Sequence, residues 1–166
     1  ATLELTALGF QVLFDATWIA RAARPPEVAQ GAWRWAAVRT PDALATWERA
    51  WRRGEDAATA ATFAPALLQD PDIFFLAAQC DGALVGGGIL YRTATRHGAV
   101  IGISNAFACA GAEPRACWVA LADAAATLAP GWPLVGYEAG DELAWALDAG
   151  FMQLGPLRVW ASGADS

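Results

Sequence analysis

The stretch PLVGYEAGDELAWALDAGFMQLGPLRVW, residues 133–160, reads as a strand, a helix and a second strand, and its local signals agree along its length. Leu134 and Val135 begin an apolar run that Gly140 breaks, and Asp141 stands where a carboxylate caps the free amides of a helix. Gly150 closes that helix in a left-handed conformation, which lets Phe151 fold back on Trp145 or Ala146. Residues 152–160 give the second strand, with Gly155 and Pro156 in its middle requiring a bulge or an edge position.

Before this unit comes a helix over residues 114–128, whose Trp118, Leu121, Ala122, Ala125 and Leu128 share one stripe and which Pro130 and Gly131 end. Three strands precede it as a meander: residues 72–79, the tight turn Asp81-Gly82, residues 83–95, the turn His97-Gly98, and residues 99–107. Gly86, Gly87 and Gly88 interrupt the middle strand and imply a bulge or the close approach of another backbone. Thr40-Pro41-Asp42 supplies a hydroxyl cap, a proline at the first helical position and an acid on the positive end of a helix running to Arg53. In that helix Leu44, Trp47 and Trp51 lie on one face, with Glu48, Arg49 and Arg52 around the other. A strand at 33–39 comes before it, Gly54 stops it, and a loop and a shorter helix at 63–69 follow. A first strand at 9–19 leads into the proline-bearing linker 21–31. The expected division is residues 1–32 as N-terminal strand and linker and residues 33–166 as the main domain. The first strand pairs with the main sheet, completes a partner's sheet, or belongs to a preceding domain.

With 166 residues, 56% of them hydrophobic, the chain suits one domain with a real core rather than a disordered segment. No apolar run reaches the ~18 residues of a membrane span and the start carries Glu4 and Asp15, so no membrane association and a cytoplasmic location are expected. The net charge is -6 and every basic residue is an arginine, a usage that suggests a GC-rich bacterial genome. Only Arg49, Arg52 and Arg53 cluster, which disfavours a nucleic-acid surface. Three cysteines without CxxC spacing and a single histidine give neither a disulfide framework nor a metal site. His97 beside Cys80 or Cys109 would make a Cys–His hydrolase, but Arg96 and Gly98 mark it as an exposed turn histidine. Of the nine tryptophans most read as core, while Trp18 on the first strand fits a seam between chains and hence a homodimer.

The element order, the Asp81-Gly82 hairpin and a helix ending in Ala149-Gly150-Phe151 before a closing strand resemble the GCN5-related N-acetyltransferases (GNAT). The resemblance runs from about Trp33 to Trp160 and is strongest from Ile73 onward. It implies an α/β fold with a mixed, mostly antiparallel sheet flanked by helices, and a cleft between the strands at 99–107 and 134–137. The implied reaction moves an acetyl group from acetyl-CoA, as co-substrate, to an amine on a small molecule or peptide.

In that family a loop opening a helix grips the pyrophosphate of acetyl-CoA through bare amides. The corresponding stretch is NAFACAGAEPR, residues 105–115, so the resemblance gives Asn105, Ala106, Phe107, Gly111, Ala112 and Arg115 as the acetyl-CoA contacts. The family's glycine pattern is not kept: Gly111 stands among alanines, Glu113 adds a negative charge and Pro114 lacks an amide. Read locally, the same residues are a capped helix start, and Asn105 either bonds a ligand or caps a strand end. The family's tyrosine, four residues before the Gly-Phe pair, is replaced by Ala146. That leaves Tyr137 as the acid and Glu138 as the base or the holder of the substrate amine. Strand alternation sends these two to opposite sides, and Tyr137 also reads as a half-buried sheet tyrosine. A GNAT-like domain without catalysis, serving binding or assembly, is the alternative.

Overall fold

Asp81 and Gly82 take positive φ values of 49° and 80°, the two-residue turn whose twist matches its strands, and join β3 (Ile73–Cys80) to β4 (Ala83–Thr95). The structure, a computed structural model, describes residues 3–24, 33–53 and 61–162. β4 pairs antiparallel with β5 (Gly98–Ala108), and β2 (Arg34–Ala37) pairs antiparallel with β3, so the expected meander is present.

The glycine run in β4 lets helices approach both faces. A Cβ on Gly86 would lie 2.8 Å from the Cys117 sulfur, and one on Gly88 would press on Leu121, both residues of α2 (Pro114–Leu128). A Cβ on Gly87 would instead lie 2.5 Å from the indole nitrogen of Trp47 in α1 (Pro41–Trp51). Successive side chains leave a strand on opposite faces, so α2 covers one face of the sheet and α1 the other. Two cores result. One holds Leu90, Ile101, Ile103, Trp118 and Leu121, together with Phe151. The second is built on Trp47, whose ring meets Phe63, Phe75 and Phe107 edge-on and whose N–H donates to the Leu76 carbonyl at 2.9 Å.

The strands run in the order β2-β3-β4-β5-β6-β1-β7, with β1 at Phe10–Arg21, β6 at Leu134–Glu138 and β7 at Met152–Ser162. Of the three placements left open for the first strand, the sheet shows the first. β1 lies antiparallel between β6 and β7, so the two strands of residues 133–160 are not neighbours and a division at residue 32 falls within one sheet. Between them runs α3 (Gly140–Asp148), closed as expected: the Gly150 amide donates to Leu147 O at 2.9 Å and the Phe151 amide to Ala146 O at 3.1 Å. β7 is an edge strand with a register shift opposite Trp18 and Ile19, beside Gly155.

Four local readings change. Asp141 does not cap α3; Ala139 holds that position without a side-chain bond, and Asp141 sits one residue inside, an acid on the positive end of the helix. Leu128 is exposed, and the neighbouring Ala129 is the residue buried at that end of the stripe. Residues 63–69 form only the short 3-10 turn Pro65–Gln69. Gly54 and most of its loop, like residues 25–32, lie outside the described residues.

The fourth is Glu48, which is buried rather than on the polar side of α1. Its carboxylate accepts the Thr62 amide at 2.7 Å and the Phe63 amide at 3.5 Å, and pairs with Arg52 at 2.7 Å. Burial alone would raise its pKa, but these two amides and Arg52 outweigh it and hold the group below its ordinary value. A depressed carboxyl stabilises the fold above its unfolded pKa, and the contribution fades as pH falls through the folded one. Glu48→Ala is expected to lose about 3 kcal/mol in urea unfolding at pH 7, the scale for breaking a buried pair, and less at pH 3. A loss under about 1 kcal/mol at pH 7 would show that this pairing holds nothing.

Candidate functional site

β5 and β6 are the parallel pair of the sheet, and they pair over only two positions, Ile101 with Leu134 and Gly102 with Val135. Beyond these the strands part. Gly136 sits at the fork, where a Cβ would lie 2.8 Å from the Ile103 carbonyl oxygen, so only glycine lets the backbones come this close before separating. Just past the fork β5 bulges: Ser104 faces Ile89 and Phe107 faces Gly87, which leaves Asn105 and Ala106 both opposite Gly88. Asn105 has φ 51°, a left-handed conformation that asparagine tolerates, and its amide donates to Ser104 Oγ at 3.1 Å.

A small cleft lies between the bulged end of β5 and the helices α2 and α3, with a cavity volume of about 30 Å³ and no β6 residue in its wall. It is walled by Ala106, Phe107, Cys117, Trp118 and Trp145, with Arg53 and Glu142 at its polar end. Arg53 donates to Glu142 at 3.5 Å across that end. The volume suits water-sized guests. Ala106 and Phe107 of the expected contacts therefore line the cleft and Asn105 adjoins it at the bulge. Gly111 and Ala112 lie in the loop before α2, and Arg115 is exposed, reaching the Asp148 carbonyl at 3.4 Å. Arg53, Glu142 and Trp145 are cleft residues that the motif comparison missed. Arg53 carried a signal as part of the arginine cluster; Glu142 carried none.

The Arg115, Ala116 and Cys117 amides at the start of α2 are engaged. Glu113 caps the helix, accepting from the Arg115 amide at 3.1 Å and the Ala116 amide at 2.6 Å, while the Cys117 amide donates to the Glu113 carbonyl at 3.3 Å. Pro114 has none to offer. The carboxylate occupies the place where an anion is bound at a helix N-terminus, so a pyrophosphate fits here only after Glu113 swings away.

Tyr137 and Glu138 leave β6 on opposite faces. Tyr137 stands on the open face between Trp18, edge-on at 5.7 Å, and Phe14, stacked at 6.3 Å. Glu138 is on the helix side, where burial and then the charge of Glu142 push its pKa up to about 7. Ala146, in the family's tyrosine position, is buried in the core. Cys109 and Cys117 are not activated. Burial pushes Cys117 up to about 12 while its sulfur lies 3.0 Å from the Phe107 carbonyl, and burial raises Cys109 too. His97 is exposed in its turn and accepts from Arg96 at 2.8 Å. Among the described residues, no three His, Cys, Asp or Glu side chains gather as a metal site.

A mostly antiparallel seven-stranded sheet that forks at one parallel pair, bulges beside the fork and carries helices on both faces is the fold of the GCN5-related N-acetyltransferases. Solved structures agree with this at low sequence identity. A GCN5-related N-acetyltransferase from Kribbella flavida matches with TM-score 0.61 and 16% identity over 96% of this chain and 62% of its own. One from Anabaena variabilis matches with TM-score 0.61 and 11% identity over 93% of this chain and 41% of its own. A functionally unknown conserved protein from Staphylococcus epidermidis matches with TM-score 0.67 and 13% identity over 94% of this chain and 66% of its own. The chain thus spans about two thirds or less of the length of these proteins. No protein-family model matches the sequence, and no curated protein does. No helix among the described residues is long and apolar enough to cross a membrane.

Proposed function

We propose that the protein transfers an acetyl group from acetyl-CoA to an amine, with the thioester placed in the fork between β5 and β6. The carrying observation is a carboxyl with a pKa of about 7, Glu138, at the end of the forked strand. A group titrating near neutral pH both accepts and returns a proton during turnover. The substrate ammonium sheds one proton to solvent, and the neutral nitrogen attacks the thioester carbonyl. The N–C bond forms as the C–S bond breaks, and the amine's second proton passes to Glu138. Glu138 then returns it to the departing thiolate, whose ordinary pKa of about 8.5 makes it the stronger base. Tyr137, on the other face, meets an acceptor arriving from that side. Acetyl-CoA and reduced thiols suit a cytoplasmic setting. Calorimetry with acetyl-CoA, followed by a thiol-release assay with amines, tests this; no heat and no thermal shift at millimolar acetyl-CoA would sink it.

A second reading, a GNAT-like binding or assembly domain without catalysis, is favoured by one observation, the Glu113 carboxylate on the amides of α2. Glu113→Gln removes that charge. It is expected to bind CoA about tenfold more tightly, the scale of one charge-assisted hydrogen bond regained, and to lose about 1 kcal/mol of stability as a weakened cap. If neither the native protein nor Glu113→Gln binds CoA, the non-catalytic reading stands.

A further inference from the structure

Among the described residues, α1 and the turn that follows it pack on the β2–β4 part of their face, and no helix packs on the rest of it. On that remainder lie four rings. Tyr91 rests over Gly102, where a Cβ would strike its ring. Gly102 pairs with Val135, two residues before Tyr137, and burial and then Tyr137 raise the pKa of the Tyr91 hydroxyl. Tyr137 pairs across the strands with Trp18 and stacks on Phe14. The stripe therefore crosses from β4 to β1 directly over the fork, with Ser104 and the bulged Asn105 beside it. From this the geometry points to a binding site for the acceptor's carrier group: the acceptor is a cationic amine attached to an aromatic or comparably flat apolar group.

Area, charge and continuity select this occupant. The rings are 36% to 42% exposed. At about 200 Å² per aromatic side chain, four of them offer on the order of 300 Å². A stable protein interface needs about 800 Å² from each partner, whereas one bicyclic or phenyl ligand is covered by such a patch. Alternation places Gly102 and Ser104, Val135 and Tyr137, and every second residue from Phe14 to Ala20 on this face, and none of them is charged. With no arginine among them to hold phosphates, a stacked nucleotide lacks its anchor. An ammonium meets instead the negative faces of tyrosine and tryptophan and a chain of net charge -6. The stripe is also continuous with the fork, so a ring seated on Trp18 and Tyr137 delivers its amine toward Ser104 and the thioester.

The inference rests on the proposed transfer to an amine, and the test separates the two. Tryptamine and 2-phenylethylamine are compared with ethylamine by calorimetry and in the thiol-release assay, using the whole chain and its Trp18→Ala, Trp18→Phe and Phe14→Ala variants. Tryptamine is expected to bind at least tenfold more tightly than ethylamine. Trp18→Ala should abolish that preference, Phe14→Ala reduce it about threefold, and Trp18→Phe keep most of it, with CoA binding unchanged in all three. Equal binding of tryptamine and ethylamine, or a preference that survives Trp18→Ala, overturns the inference. Preferential binding without thiol release supports the site and overturns only the transfer reading. Sedimentation showing a dimer that Trp18→Ala dissociates, with no amine preference, assigns the face to a second copy and overturns it as well.

Discussion

Gly87→Ala is expected to cost about 4 kcal/mol and to lower the melting temperature by roughly 10 °C. The added methyl would lie 2.5 Å from Trp47 Nε1, 2.7 Å from the Leu76 carbonyl oxygen and 2.7 Å from the Phe107 ring, where carbon contacts settle at about 3.5–4.0 Å. Two of those atoms are the donor and acceptor of the 2.9 Å bond that anchors the indole. Alanine therefore overpacks the second core, worth about 1–3 kcal/mol, and leaves a buried N–H unpaired, worth about 1–3 kcal/mol more. Neither neighbour yields easily, since one is backbone and the other is wedged among Phe63, Phe75 and Phe107. Gly98→Ala is the control. Its φ of 128° strains alanine, but no atom lies within 4 Å, so about 1 kcal/mol is expected. Thermal unfolding followed by circular dichroism compares them, and a Gly87→Ala melt within 3 °C of the native one would show that the core relaxes around the methyl.

The same glycines show what the sequence makes legible. Three in succession inside a strand imply a bulge or a close approach, and the closest helix atoms are the side chains of Cys117, Leu121 and Trp47 rather than another backbone. The hairpin at Asp81-Gly82 and the helix end at Gly150 were equally readable, because a left-handed residue at a fixed offset is a local signal. The position of β1 was not. Its pairing of Thr17 with Glu138 joins residues more than a hundred positions apart, and nothing near Thr17 says which strands will flank it. Glu48 escaped for a related reason: spacing on α1 sees an outward carboxylate, while the amides that bury it come from Thr62 and Phe63. Of the residues that the resemblance gives as acetyl-CoA contacts, Ala106 and Phe107 line the cleft. The resemblance did not give the Arg53–Glu142 pair, which closes the cleft across 89 residues of chain. Alternation along β6 separates Tyr137 from Glu138, but the raised Glu138 pKa depends on burial and on the charge of Glu142 in α3, which no pattern within β6 announces.

Glu138→Gln is expected to make the protein more stable and inactive at the same pH. Burial first, and the charge of Glu142 second, raise the Glu138 pKa from 4.5 to about 7. A carboxyl with a raised folded pKa favours the native state below pH 4.5, and that contribution is lost as pH rises through 7. The difference of about 2.5 units, at about 1.4 kcal/mol each, amounts to about 3.5 kcal/mol. Glutamine never ionises. Native and variant should therefore melt together at pH 4.5, and the variant should melt roughly 8 °C higher at pH 8. Its acetyl transfer should fall by about 10² to 10⁴, the range for a general base. The native kcat/KM should rise with pH along a limb centred near 7, and Glu142→Gln should move that limb lower by removing a like charge. The two readouts fail separately. Coincident melts at pH 8 would show that the surroundings of Glu138 do not raise its pKa. A Glu138→Gln protein that keeps transfer within fivefold, yet gains the stability, would leave the buried acid in place and take the proton from it.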